Sequence, residues 1–149
     1  MSAPKNKKTV DPRYAKGSAY GTVLSEIESQ KVCPFCPETF KWHTKPILMR
    51  HGDWFITENF NPYINSAHHF LVICKRHMEQ FGELTSADWS DMIFLVNWAI
   101  KEFHLKGGGF ALRFGETTYT GATVCHLHGH LIVPQVSNGI SKSVSFPIG

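Results

Sequence analysis

The sequence predicts a single α+β domain in which helices lie on one side of an antiparallel sheet. Several short runs of β-branched and aromatic residues, bounded by turn residues, predict strands that follow one another along the chain. One long segment with helical spacing of its apolar residues interrupts them. Strands consecutive in sequence, with a helix packed on the sheet, are typical of this class. The 149 residues, 42% of them hydrophobic, are enough to bury one core.

The first half of the chain predicts a short helix and then three strands. The helix is expected over residues 19–30. Residues 46–58 have the pattern of a β-hairpin that turns at His51-Gly52-Asp53, because glycine and aspartate favour turns. The third strand is expected over residues 70–74, which read Phe-Leu-Val-Ile-Cys.

The second half predicts one long helix and two further strands. The helix covers residues 85–103. Its apolar residues fall on one stripe, which comprises Trp89, Met92, Ile93, Val96, Ile100 and Phe103. Three glycines within residues 106–109 end the helix, a strand follows over 110–114, and the last strand covers 124–133.

Basic charge is concentrated at the N-terminus. Residues 1–20 contain five lysines and arginines against Asp11, a net charge of +4, whereas the whole chain carries +3, which leaves −1 for the remainder. We expect residues 1–18 to form a flexible basic tail and residues 19–149 to form the domain. A body without surplus positive charge does not favour duplex DNA or RNA, so no specific nucleic-acid partner is expected.

The sequence also bears on the compartment. No apolar run is long enough to cross a membrane, and the lysine-rich N-terminus lacks the apolar core of a signal peptide. Four cysteines without a secretory context favour a reducing compartment. We therefore expect no association with membranes and a cytoplasmic location.

Three histidines alternate in the last predicted strand. Side chains alternate across a strand, so His126, His128 and His130 are expected to share one face. Three imidazoles on one face are poor packing material, because their nitrogens need partners. A neutral imidazole is a nucleophile near neutral pH. His128 is the best placed, because its neighbours, each about 7 Å away, can flank the same substrate group.

A pair of cysteines, Cys33 and Cys36, indicates metal or thiol chemistry. Both sulfurs can reach one ion, and a tetrahedral structural zinc needs two more ligands. Reduced thiols or a redox disulfide are the alternatives. A single catalytic metal on the three histidines is disfavoured, because His126 and His130 would lie about 13 Å apart along an extended strand.

Three motifs, in this order, resemble the histidine-triad (HIT) superfamily of nucleotide hydrolases and transferases. They are the Cys33–Cys36 pair, the run from His68 to His77, and the histidine strand with its following apolar residues, and the likeness covers about residues 33–134. The resemblance implies a HIT-like fold with about five antiparallel strands, one long helix and one short helix. It also implies a homodimer.

The resemblance implies roles for site residues. His128 is expected to be the nucleophile, and His130 and His69 are expected to contact the phosphate. Thr123 matches the position of a hydroxyl near the phosphate or leaving group. Asn61 is the nearest match to the residue that holds the ribose hydroxyls, with Asn59 as the alternative.

The resemblance also implies a structural zinc. In zinc-bearing relatives the remaining ligands match His77 and His126, so the expected ligand set is Cys33, Cys36, His77 and His126.

Two departures concern the leaving group. Relatives that hydrolyse phosphoramidates have asparagine and glutamine where this chain has Gly115 and Ala122. We expect hydroxyl groups of Thr117, Thr118 and Tyr119 to contact the phosphate in their place.

The expected activity is hydrolysis at the α-phosphorus of a nucleoside phosphoramidate or a dinucleoside polyphosphate, through a nucleotidyl-histidine. One alternative is a nucleotidyltransferase or phosphorylase with phosphate or a sugar phosphate as acceptor. The other is a nucleotide-binding protein without catalysis.

Overall fold

The fold centres on an antiparallel sheet of five strands, seen in a computed structural model that describes residues 7–149. The strands are β1 (Ile47–His51), β2 (Trp54–Glu58), β3 (Ser66–Cys74), β4 (Gly109–Leu112) and β5 (His128–Pro134). They are arranged in the order β1-β2-β3-β5-β4, and each neighbouring pair is antiparallel. The helices are α1 (Ser18–Gln30), α2 (Ser86–Glu102) and α3 (Thr117–Thr120). A separate hairpin consists of β6 (Val136–Ser137) and β7 (Ile140–Ser141). The predicted α+β class and five-stranded antiparallel sheet are confirmed.

Helix α2 begins at a capping box. The Thr85 hydroxyl accepts a hydrogen bond from the N–H of Asp88 (3.2 Å), and the Asp88 carboxylate accepts one from the N–H of Thr85 (2.8 Å). Asp88 also accepts hydrogen bonds from Trp54 Nε1 (2.9 Å) and Arg76 (2.7 Å). Burial raises the pKa of this carboxyl, but the hydrogen bonds outweigh burial and lower the pKa to about 2.

The predicted apolar stripe of α2 is wrong in its orientation. The buried residues of the helix are Asp88, Met92, Leu95 and Ala99. Trp89, Ile93 and Ile100 of the predicted stripe are instead exposed. The face of the helix that carries Asp88 packs inward because hydrogen bonds satisfy this carboxylate inside the protein. The spacing of apolar residues does not predict this orientation, because Asp88 is polar.

Helices cover both faces of the sheet, not one as predicted. The α2 side packs against a cluster that includes Trp54, Phe70 and Leu131. On the opposite face, Leu24 and Ile27 of α1 pack with a second cluster, which includes Phe55, Leu71 and Ile73. The cause is strand alternation, because β2 and β3 carry apolar residues on both faces and each face needs a cover.

The histidine strand is shorter than predicted at its N-terminal end. It begins at His128, whereas the sequence placed its start at Val124. The preceding residues bond elsewhere: the N–H of Cys125 donates to Thr9 O, and the N–H of Leu127 donates to Met78 O. His126 therefore lies just outside β5.

The N-terminal segment packs on the domain at residues 9–11, within the range where the sequence predicted a flexible tail (residues 1–18). Val10 and Asp11 are fully buried. The Asp11 carboxylate accepts hydrogen bonds from Lys8, Arg13 and Thr117, and these bonds lower its pKa. Residues 1–6 of that prediction lie outside the described residues.

The helices between residues 7 and 149 offer no candidate membrane span, since none combines the length and apolar character that a bilayer requires.

Candidate active site

A cleft opens beside β5 on the face of the sheet that α1 covers. Its walls come from the N-terminal segment, α1, the loop over residues 59–63, the end of β4 and the histidine strand. Two imidazoles, His128 and His130, line the cleft. The pairing of β5 with β3 places Leu71 opposite His130 and Ile73 opposite His128, which aims both rings at this face.

A chain of hydrogen bonds fixes the proton positions on His69 and His130. The N–H of Tyr63 donates to His69 Nδ1 (3.1 Å), so the His69 proton resides on Nε2. His69 Nε2 then donates to His130 Nδ1 (2.9 Å). His130 consequently carries its proton on Nε2, and that buried nitrogen has no protein partner among residues 7–149. The site thus holds a free N–H donor beside His128.

His128 carries its proton on Nδ1, whereas His69 and His130 carry theirs on Nε2. Its Nδ1–H donates to the backbone oxygen of His126 (2.6 Å), which leaves a lone pair on Nε2. Burial, and then the positive charge of Arg113, lower the pKa of His128 to about 3. Burial likewise lowers the pKa of His69 to about 4 and that of His130 well below its ordinary value. His128 is therefore a neutral imidazole with a free nucleophilic nitrogen.

Gly129 lies between the two histidines and allows β4 to approach β5 closely. A Cβ atom at this position would overlap the ring of Phe110 on β4. The missing side chain thus lets β4 pack against β5 on the face away from the cleft.

Arg113 is a further site residue, which the sequence alone did not indicate. Ala111 of β4 pairs with His130, and Arg113 follows two residues later, so alternation directs it to the same face next to His128. Its guanidinium donates to Pro147 O (3.0 Å) and Tyr63 Oη (3.3 Å). The alternation of side chains along β4 could have indicated Arg113, but only if the pairing of β4 with β5 had been known.

The cleft is cationic. Lys16 and Arg113 line it, and none of its lining residues within the described chain is an aspartate or glutamate. Lys16 Nζ lies 4.8 Å from the centre of the Tyr63 ring. With the histidines neutral, two positive charges remain to attract an anion.

Asn61 and Thr123, the residues expected to bind substrate, line the cleft. Asn61 Nδ2 donates to Lys16 O (3.4 Å), and its N–H donates to Asn59 Oδ1 (2.9 Å). The Thr123 hydroxyl lies 2.9 Å from the Tyr20 hydroxyl. The alternative residue, Asn59, also lines the cleft, so the structure brings both asparagines to the histidines.

Thr117, Thr118 and Tyr119, which were expected to contact phosphate, do not line the cleft. They form the short helix α3 instead of an open loop. The buried Thr117 hydroxyl donates to Asp11 (2.6 Å), while Tyr119 is 75% exposed. Thr118 accepts a long hydrogen bond from Arg13 (3.5 Å). Their hydroxyls anchor the N-terminal segment or face solvent.

A second cluster beside β5 has the donors of a closed metal site. One ligand atom from each of Cys33, Cys36, His77 and His126 lies within 4.8 Å of the others. Cys33 Sγ lies 3.3 Å from His126 Nδ1, and Cys36 Sγ lies 3.4 Å from His77 Nδ1. Two sulfurs and two imidazoles are a standard tetrahedral zinc set.

The outer contacts of the two imidazoles fit that set. His126 Nε2 donates to Cys74 O (2.6 Å), and His77 Nε2 donates to the Glu79 carboxylate (2.9 Å). Each contact places the proton on Nε2 and leaves the Nδ1 lone pair directed at the cysteines. Such contacts orient histidine ligands in metalloproteins.

The fold and the histidine strand define a histidine-triad domain. The family model described as the HIT domain matches residues 44–136, and the chain belongs to this family. A sequence comparison with curated proteins gives no match.

Solved structures of HIT proteins share the fold. A histidine triad protein from Clostridium difficile has 20% identity and a TM-score of 0.55, with 71% of this chain and 94% of that chain covered. A histidine triad nucleotide-binding protein from Candida albicans has 18% identity and a TM-score of 0.51, with 85% and 83% covered. The Plasmodium falciparum diadenosine triphosphate hydrolase has 20% identity and a TM-score of 0.50, with 68% and 76% covered.

Proposed function

We propose that this protein is a nucleotide hydrolase that cleaves its substrate at the α-phosphorus through a covalent adduct on His128. The observation that carries the proposal is the neutral His128 ring, whose free Nε2 lines a cationic cleft beside the His130 N–H donor. The candidate substrates are a nucleoside phosphoramidate and a dinucleoside polyphosphate. Membership of the HIT family supports this class of reaction.

The reaction has two steps in this proposal. His128 Nε2 attacks the α-phosphorus, a P–N bond forms, and the bond from phosphorus to the leaving group breaks, with its electron pair going to the leaving group. Water then attacks the same phosphorus, the P–N bond breaks, and nucleoside monophosphate and neutral His128 result. The water proton is released to solvent.

The neighbours of His128 have distinct tasks. The His130 Nε2–H donates to a non-bridging phosphate oxygen and stabilises its developing charge. His69 positions His130 through the 2.9 Å hydrogen bond. The backbone oxygen of His126 accepts the Nδ1–H of His128 and stabilises the positive charge that the ring gains in the adduct. Asn61 and Thr123 bind the nucleoside side of the substrate.

We further propose that Cys33, Cys36, His77 and His126 hold a structural zinc. When bound, the ion would supply a structural crosslink between these four residues, which leave no open coordination position for chemistry. The four residues would join the segment after α1 to the start of β5. His126 would thus hold the backbone oxygen that orients His128.

A homodimer is the proposed assembly. Ile93 and Ile100 of α2 are 59% and 41% exposed, and Phe110 lies on the edge strand β4 with 37% exposure. Apolar residues of this size on a helix and an adjoining sheet edge favour burial against a second copy. Light scattering tests this assembly, and a monomer at high protein concentration would contradict it.

The four free cysteines suit the expected cytoplasmic location.

The activity is tested by product chromatography on adenosine phosphoramidate and diadenosine triphosphate, with and without phosphate. The wild type should release AMP, and His128→Asn should lower the rate by about 10³-fold or more. His104→Asn is the matched control, because His104 is exposed and its left-handed backbone suits asparagine. With adenosine phosphoramidate, ADP formed only in the presence of phosphate would indicate a phosphorylase; diadenosine triphosphate cannot make this distinction, because its hydrolysis itself releases ADP. Equal rates for the His128 variant and the wild type would contradict the proposal.

A further inference from the structure

Arg113 stands at the junction of two clefts. One is the cleft described above. It is lined by the aromatic and amide residues that we expect to bind the nucleoside. A smaller cleft lies next to it, and Arg113 and His128 line both. Since the nucleoside side of a substrate would fill the first cleft, the smaller cleft is the remaining space next to the nucleophile for the leaving group.

The guanidinium of Arg113 has unused binding capacity. It donates to Pro147 O and Tyr63 Oη, but its buried Nε has no partner within residues 7–149. Neither of these partners is charged, and an aromatic ring, that of Phe146, lies under the guanidinium at 4.9 Å. A positive charge held by neutral groups, with a buried donor unpaired, is suited to an anionic ligand.

The other residues that line the smaller cleft do not neutralise the positive charge of Arg113. Gly115 and Ala122 contribute no polar side-chain atom to its lining. Glu79 lines it too, but that carboxylate already accepts a hydrogen bond from His77 and forms an ion pair with Lys7 (2.7 Å). The charge left without a counter-ion in this cleft is therefore positive.

We propose that Arg113 binds a phosphate of the leaving group, so that the site selects nucleoside 5′-phosphates extended by at least a second phosphate. This assignment rests on the proposed function, because it takes the α-phosphate to lie at His128. A planar guanidinium with two fixed neighbours matches the oxygens of a phosphate better than the single nitrogen of a phosphoramidate. Arg113 is thus a specificity-determining residue that acts on the leaving group.

The first test measures binding of AMP and ADP by calorimetry to the full-length, zinc-loaded His128→Asn protein, in which turnover is blocked. ADP should bind at least about ten-fold more tightly than AMP, equivalent to about 1.4 kcal/mol. Adding Arg113→Met should bring the two affinities within about two-fold, and Arg113→Lys should give an intermediate ratio. Arg50→Met, at an exposed position on β1, is the control and should leave the ratio unchanged.

The second test compares kcat/KM for diadenosine triphosphate and adenosine phosphoramidate. Arg113→Met should lower the first by about 30-fold or more relative to the second. A ratio that does not depend on Arg113, in binding or in turnover, would overturn the assignment, as would a loss that is equal for both substrates.

These tests distinguish failure of the proposed hydrolase function from failure of the Arg113 assignment. If the wild type cleaves nucleotides through His128 but shows no dependence of the ADP preference on Arg113, the function stands and this inference is wrong. If the protein shows an Arg113-dependent preference for ADP but cleaves neither substrate, the hydrolase is wrong and the phosphate assignment of Arg113 stands. Absence of nucleotide binding would contradict both.

Discussion

Acid pH should destabilise the protein through three histidines of the site. An unfolded histidine takes up a proton near pH 6.5, but burial lowers the pKa of His69 to about 4 and that of His128 to about 3 in the folded chain. The pKa of His130 is lowered as well. Below pH 6.5 the unfolded state therefore binds more protons than the folded state, and the free energy of unfolding falls as the pH falls.

The size of the effect follows from these pKa values. Between pH 7.5 and pH 5.5, each histidine that stays neutral in the fold lowers the free energy of unfolding by about 1.4 kcal/mol, since one pKa unit is worth 1.36 kcal/mol. Three such residues together remove about 4 kcal/mol. That is a large share of the 5–15 kcal/mol or so that stabilises a typical domain.

Urea unfolding at the two pH values, followed by circular dichroism, measures this loss. In His128→Asn the loss between pH 7.5 and pH 5.5 should be smaller by about 1.4 kcal/mol than in the wild type. His104→Asn should lose as much as the wild type. Metal analysis of all three proteins at both pH values checks that the metal content changes equally in each. An undiminished loss in His128→Asn would refute the argument, because it would mean that His128 takes up a proton in the fold.

Three further perturbations test other parts of the structure. Cys36→Ser should lower bound zinc from one ion per chain and reduce the thermal midpoint, as measured by metal analysis and calorimetry; full zinc occupancy would contradict the ligand set. Asp88→Ala should lower the free energy of unfolding by about 3 kcal/mol in urea titrations, because Trp54 Nε1 and Arg76 lose their buried partner; a loss below about 1 kcal/mol would contradict that reasoning. Thr118→Ala should leave kcat/KM within about two-fold, since Thr118 does not line the cleft and its hydroxyl contacts Arg13; a ten-fold loss would show that this residue acts in the site.

Local sequence signals predicted the elements well. The turn at His51-Gly52-Asp53 and the alternation around it are sufficient for the β1–β2 hairpin, and the helix predicted over residues 85–103 agrees with α2 (Ser86–Glu102). The alternation of His128 and His130 placed both rings on one face before any strand pairing was known. Periods of two and 3.6 residues and cap chemistry are properties of the sequence itself.

The structure departs from the sequence-based expectations where distant segments decide the outcome. Asp88 is buried because Trp54 and Arg76 satisfy it, so a polar residue lies on the inner face of α2. Thr117 is drawn to Asp11, more than a hundred residues earlier, instead of to the cleft. Arg113 enters the site only because Ala111 pairs with His130. None of these partners can be read from neighbouring residues, because each depends on tertiary pairing.

The most direct test of the central claim is the intact mass of the protein during turnover. Wild type mixed with diadenosine triphosphate and quenched in a non-acidic denaturant should gain the mass of one adenylyl group. Peptide mapping should place that group on His128, and His128→Asn should remain unmodified under the same conditions. Turnover by the wild type with no adduct, or with the adduct on another residue, would contradict covalent catalysis by His128.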